Sequence, residues 1–131
     1  MLSKYHFHCP HCQVDLTKNN EIKFLVNFNN FNFKLFLSAI PNTYGHKSDI
    51  DIPIETGDRL LFQCNSCKTN LQSKKYSDFV EISLKVKTGI TFEILFSPIC
   101  GKKTTYIIME DEMVKFRDDF FYCSTILDRT A

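Results

Sequence analysis

A chain of 131 residues that is 44% hydrophobic, with thirteen Phe and no Trp, has the material for one domain with a sizeable core and is not a disordered composition. Sixteen Lys plus Arg against fifteen Asp plus Glu leave a formal charge of +1, without the basic excess of a protein whose binding rests on many phosphate contacts. Its only Lys pairs are Lys74-Lys75 and Lys102-Lys103, and the acidic run Glu110-Asp111-Glu112 follows the second.

The first residues, Met1-Leu2-Ser3-Lys4-Tyr5-His6, reach a cysteine pair without the apolar stretch of a secretory signal, and no apolar run is long enough to span a membrane. The expected compartment is the cytoplasm, where thiols stay reduced and paired cysteines read as metal ligands. A three-disulfide extracellular framework is the competing reading of six Cys.

The first element is a cysteine turn, Phe7-His8-Cys9-Pro10-His11-Cys12-Gln13-Val14-Asp15-Leu16. A long hairpin follows: Ile22, Phe24, Val26 and Phe28 alternate with other residues, Asn29-Asn30 supplies the turn, and Phe31, Phe33, Leu35 and Leu37 alternate on the return. Asn tolerates the positive φ angles of a two-residue hairpin turn. Counting outward predicts Phe28 opposite Phe31, Val26 opposite Phe33, Phe24 opposite Leu35 and Ile22 opposite Leu37. Every pair is apolar, and a one-residue slip would destroy that face. Short strands are expected at 50–54 and 60–62.

A second cysteine turn, Phe62-Gln63-Cys64-Asn65-Ser66-Cys67-Lys68-Thr69-Asn70-Leu71, repeats the F-x-C-x-x-C-x-x-x-L pattern, with both cysteines displaced by 55 positions (64 − 9 and 67 − 12). A helical turn over 71–76 is compatible with the residues that follow. The second hairpin runs through Val80, Ile82, Leu84 and Val86 to Lys87-Thr88-Gly89, then back through Ile90, Phe92, Ile94 and Phe96. Gly89 suits the left-handed last position of a three-residue loop. Further strands are expected at 104–108, 113–116 and 120–122.

Residues 33–40 echo 92–99 at an offset of 59, and Phe62-Gln63-Cys64 falls on Phe121-Tyr122-Cys123 at the same offset. Ile126 stands where a third cysteine turn needs its second Cys. The expectation is an all-β fold: one compact domain, 1–131, made of two tandem hairpin-containing repeats, about 5–61 and 62–123, with a C-terminal tail at 124–131.

Two C-x-x-C turns bring four thiolates within reach of one ion while backbone N–H groups point at the sulfurs. Cys9, Cys12, Cys64 and Cys67 are therefore expected to hold one structural Zn2+, with iron as the alternative occupant, at the seam between the copies. These turns resemble the zinc-ribbon superfamily, whose rubredoxin-like members hold one metal between two such knuckles. The likeness covers residues 6–16 and 61–71. Gln13 and Lys68 stand where a Gly is usual, and 51 residues separate Cys12 from Cys64. The whole pattern, including Phe96-Ser97-Pro98-Ile99-Cys100-Gly101, is also similar to small uncharacterised bacterial double-C-x-x-C proteins, which brings no function with it.

Cys9-Pro10-His11-Cys12 resembles the active-site tetrapeptide of DsbA-type thiol oxidoreductases, which implies a low-pKa Cys9. Here it leads into strand rather than a long amphipathic helix, and a single metal accounts for both pairs. His6, His8 and His11 read as neighbours of the site, and Cys100 and Cys123 as small buried hydrophobes. Asp49 and Asp51, Glu110-Asp111-Glu112 and Asp118-Asp119 read as solvated acids. With four Gly and neither a G-x-S-x-G nor a phosphate-binding loop, no enzyme activity is assigned.

The function expected from these residues is a non-enzymatic interaction or accessory module for another protein in a cytoplasmic complex. Leu25, Phe36 and Leu95, on the otherwise polar outer faces of the hairpins, are the candidate contacts, and cover by a loop is their plainer reading. Because zinc ribbons often serve nucleic-acid machines, the alternative is RNA or DNA binding. Lys74, Lys75, Lys102 and Lys103 would then contact phosphates and Tyr5, Tyr44 and Phe36 would stack on bases. Neither a membrane nor a small-molecule substrate is expected.

Overall fold

The structure, a computed structural model, describes residues 6–39, 46–48, 54–102 and 104–117. Its regular elements are all strands: β1 (His6–His8), β2 (Thr17–Lys18), β3 (Glu21–Phe28), β4 (Phe31–Ser38), β5 (His46–Ser48), β6 (Leu61–Gln63), β7 (Val80–Lys85), β8 (Thr91–Phe96), β9 (Thr105–Met109) and β10 (Glu112–Arg117). The helical turn compatible with 71–76 does not form. Instead Ser73 Oγ accepts the Tyr76 N–H and donates to Glu81, and bends carry the chain from 74 to 79. The strand expected at 120–122 and all but the end of that at 50–54 lie outside the described residues, as does the tail at 124–131.

Both long hairpins have the register that their apolar alternation demands. Phe28 faces Phe31, Val26 faces Phe33, Phe24 faces Leu35 and Ile22 faces Leu37. Asn29 and Asn30 close the turn at φ 51° and 67°. In the second hairpin Val80 faces Phe96, Ile82 faces Ile94 and Leu84 faces Phe92. Gly89 takes φ 91°, and its N–H donates to the Val86 carbonyl.

The strands form two sheets, ordered β1-β7-β8-β9-β10 and β2-β3-β4-β5, with β6 also on β3. All pairings are antiparallel and mostly local, except for one reciprocal exchange. β1, which leads into the first cysteine turn, pairs with the second hairpin, placing Phe7 opposite Leu84. β6, which leads into the second turn, pairs with the first hairpin, placing Phe62 opposite Val26. Each half thus lends the strand ahead of its cysteines to the other half. The cause is apolar: Phe7 and Phe62 lie in three-residue strands too short to bury a ring by themselves, and both rings are buried in the assembled core, opposite Leu84 and Val26 of the other hairpin.

The two sheets share one core. Phe24 of β3, Phe62 of β6 and Phe96 of β8 form a triangle of rings with centroids 5.2–5.6 Å apart, two of the contacts edge-to-face. The residues after each cysteine turn stitch the sheets further. Leu16 donates its N–H to Phe7 and accepts from Lys23, as Leu71 donates to Phe62 and accepts from Glu81. Among the described residues no helix is long and apolar enough to cross a membrane.

Candidate metal centre

Each C-x-x-C segment folds into the same tight turn. In the first, Cys9 Sγ accepts the N–H groups of His11 and Cys12 at 3.3 and 3.4 Å. In the second, Cys64 Sγ accepts those of Ser66 and Cys67 at the same distances. The chain then reverses through Gln13 and Lys68, at φ 67° and 63°, whose N–H groups donate to the carbonyls of Cys9 and Cys64. This left-handed conformation is why Gly is usual there. Gln13 Nε2 and Lys68 Nζ instead reach back to the Pro10 and Asn65 carbonyls, at 3.2 and 2.6 Å, and so hold the turn from outside.

The strand exchange brings the two turns face to face. Cys9 Sγ lies 3.8 Å from Cys67 Sγ, Cys12 Sγ lies 3.7 Å from Cys64 Sγ, and all four sulfurs fall within 4.8 Å of one another. Four sulfurs about 2.3 Å from a central ion form a tetrahedron whose edge is about 3.8 Å. A disulfide would need about 2.05 Å, and all four thiols are free. The cluster therefore has the dimensions to hold one metal ion. It is also the one group of three or more potential ligands found among the described residues.

Cys9 and Cys64 are buried and Cys12 and Cys67 exposed. Burial pushes the Cys9 thiol up to about 12, against the N–H bonds from Cys12 and His11 that lower it. Cys64 is raised for the same reason. Hydrogen bonding to the Thr69 side chain and backbone lowers Cys67 to about 6. The histidines stand outside the cluster: His6 Nδ1 contacts Asp15 Oδ2 at 3.1 Å, His11 contributes its backbone N–H, and the Nδ1 of His8 is buried without a partner.

The other residues singled out in the sequence are dispersed. Leu95 is 0% exposed, so it offers nothing to a partner, while Leu25 and Phe36 are half-buried. Lys74, Lys75 and Lys102 are exposed, with Lys75 Nζ 5.5 Å from the centroid of the Tyr76 ring. Lys103, Tyr5, Tyr44 and Cys123 lie outside the described residues. Cys100 corrects its reading as a merely packed thiol: it is buried and disulfide-bonded. Local sequence gives no sign of that bond, because a disulfide needs two distant β-carbons brought together. Thr69 was missed as well. Its signal is a hydroxyl two positions past Cys67, where the first turn has Val14.

Comparison with known protein families, with curated proteins and with solved structures finds no match.

Proposed function

We propose that Cys9, Cys12, Cys64 and Cys67 hold one Zn2+ as a structural clamp between two copies of a β unit. The clamped protein is non-enzymatic and serves as an interaction or accessory module for another protein. The observation that carries the clamp is the sulfur geometry: both short contacts, Cys9 to Cys67 and Cys12 to Cys64, cross from one turn to the other. Four protein sulfurs saturate a tetrahedral zinc and leave no open position for a substrate, which favours structure over catalysis.

The interaction role is supported by apolar side chains beyond the core. Phe31 and Ile90, 62% and 54% exposed, stand beside the turns of the two long hairpins, and Met109, Met113 and Val114 are exposed on β9 and β10. Free thiols held within contact distance favour a reducing compartment such as the cytoplasm, whereas the Cys100 disulfide argues for an oxidising one.

The test is affinity purification from the native host under non-chelating conditions, with metal content, thiol state and co-purifying proteins measured on one sample. One zinc per chain and a stoichiometric protein partner are the expected result. A metal-free, fully folded protein would refute the clamp. A zinc-loaded protein that retains no partner would refute the interaction role alone.

A further inference from the structure

A cleft of about 630 Å3 opens on the outer face of the β7–β9 region, within the size range of ligand sites. Arg59, Asp78, Phe79, Lys102, Thr104 and Tyr106 line it. Arg59 and Phe79 also wall a second cavity of about 220 Å3, which reaches Asn70 and Gln72 beyond the second cysteine turn. The Phe79 and Tyr106 rings meet edge-to-face, with centroids 5.7 Å apart. Arg59 and Lys102 are exposed, and neither they nor Asp78 are ion-paired among the described residues.

The molecule supplies its own control. The pair Val80–Phe96 occupies the register of Ile22–Leu37, so Phe79 corresponds to Glu21. Leu95 pairs with Tyr106 as Phe36 pairs with Lys47, so Tyr106 corresponds to Lys47. Core positions stay apolar in both halves, whereas these two change from charged to aromatic in the second half alone. Cover for the buried Leu95 accounts for rings at this place. It does not account for two unpaired cations at the edge of an aromatic wall.

We propose that this cleft binds a phosphorylated nucleoside, either as a free nucleotide or as a unit of a single strand. Arg59 and Lys102 take the phosphate through charge-assisted hydrogen bonds. The base packs on Tyr106 and Phe79, as bases do on aromatic platforms. Asp78 accepts from a ribose hydroxyl or a base amine, groups that a bare phosphate lacks. This proposal does not depend on the protein-interaction role or on the identity of the metal.

The test uses the full chain as purified, 15N-labelled, titrated with the four ribonucleoside monophosphates, the parent nucleosides, inorganic phosphate, free phenylalanine and pentanucleotides. At least one nucleotide is expected to saturate, with amide shifts confined to 58–60, 77–79 and 97–106. Its nucleoside and inorganic phosphate should each bind about tenfold or more weakly. The double variant Arg59→Gln/Lys102→Gln, at two exposed positions, should lose about tenfold or more in affinity with an unchanged circular dichroism spectrum. A pentanucleotide that outbinds its monomer makes a strand the source, and equal affinities make it the free nucleotide. Absence of saturation by every nucleotide and pentanucleotide overturns the proposal. So do shifts that map elsewhere, inorganic phosphate or phenylalanine binding as well as the best nucleotide, or a double variant that binds like the parent.

Discussion

Two residues past the second cysteine of its turn, the first half of the molecule carries Val14 and the second carries Thr69. The rest of the turn matches: the same N–H groups reach Cys9 and Cys64, and the same left-handed reversal follows at Gln13 and Lys68. Only the second turn places a hydroxyl against its outer cysteine, with Thr69 Oγ1 3.2 Å from Cys67 Sγ. A similar contrast holds between the two hairpins, where Glu21 and Lys47 occupy the register positions that Phe79 and Tyr106 hold in the second half. Backbone hydrogen bonding and core packing tolerate few solutions and recur in both halves. Surface positions are under no such constraint, and there the two halves differ.

The strongest challenge to this equivalence is to remove one ligand from either half. Cys12→Ser and Cys67→Ser should each abolish tight metal binding and unfold both halves, because metal free energy in such sites is folding free energy, about 10 kcal/mol or more. Circular dichroism and hydrogen exchange with metal supplied in excess check this. Loss of protection in one half only would show that the halves fold separately. Next in size are Phe7→Ala and Phe62→Ala. Both rings are buried and stand in strands paired with the opposite half's hairpin, and each truncation should cost about 3–5 kcal/mol in chemical denaturation. A small loss at one site with a large loss at the other would make the exchange unequal.

The pH dependence separates the inner from the outer cysteines. With Cys9 raised to about 12 and Cys64 raised as well, both hold protons at neutral pH that a metal must displace. Metal affinity should therefore fall by at least about 100-fold per unit of pH below 8, tenfold for each displaced proton, measured by competition with a chromophoric chelator. A tenfold slope would mean that only one buried thiol is protonated. In the metal-free chain the two kinds of shift act in opposite senses. The raised Cys9 value favours folding below about pH 9, and that contribution disappears as the pH climbs toward 12. The lowered Cys67 value favours folding above about pH 9, and its contribution disappears as the pH drops through 6.

The smallest effect is expected at the reversals. Gln13→Gly and Lys68→Gly relieve a left-handed backbone but lose the side-chain bonds to Pro10 and Asn65, so stability should move by less than about 1 kcal/mol at each. A loss above about 2 kcal/mol at one of them alone would mark that side chain as a clamp its counterpart is not.

Much of this architecture is legible in the chain because it is local. Strict apolar alternation around Asn29-Asn30 and Gly89 determines both hairpins and their registers, since a slip of one residue would turn every apolar side chain outward. The doubled C-x-x-C pattern determines the four candidate ligands, because each turn by itself can present two sulfurs to one ion. What the tertiary structure decided is non-local: which hairpin receives each three-residue lead strand, that Leu95 is covered while Phe36 is half-open, that Cys100 forms a disulfide, and that Arg59 meets Phe79, Lys102 and Tyr106 around one cleft. Strands as short as β1 and β6 carry too few side chains to specify a partner by pattern. Their places follow from where Phe7 and Phe62 can be buried, and only the assembled core defines that.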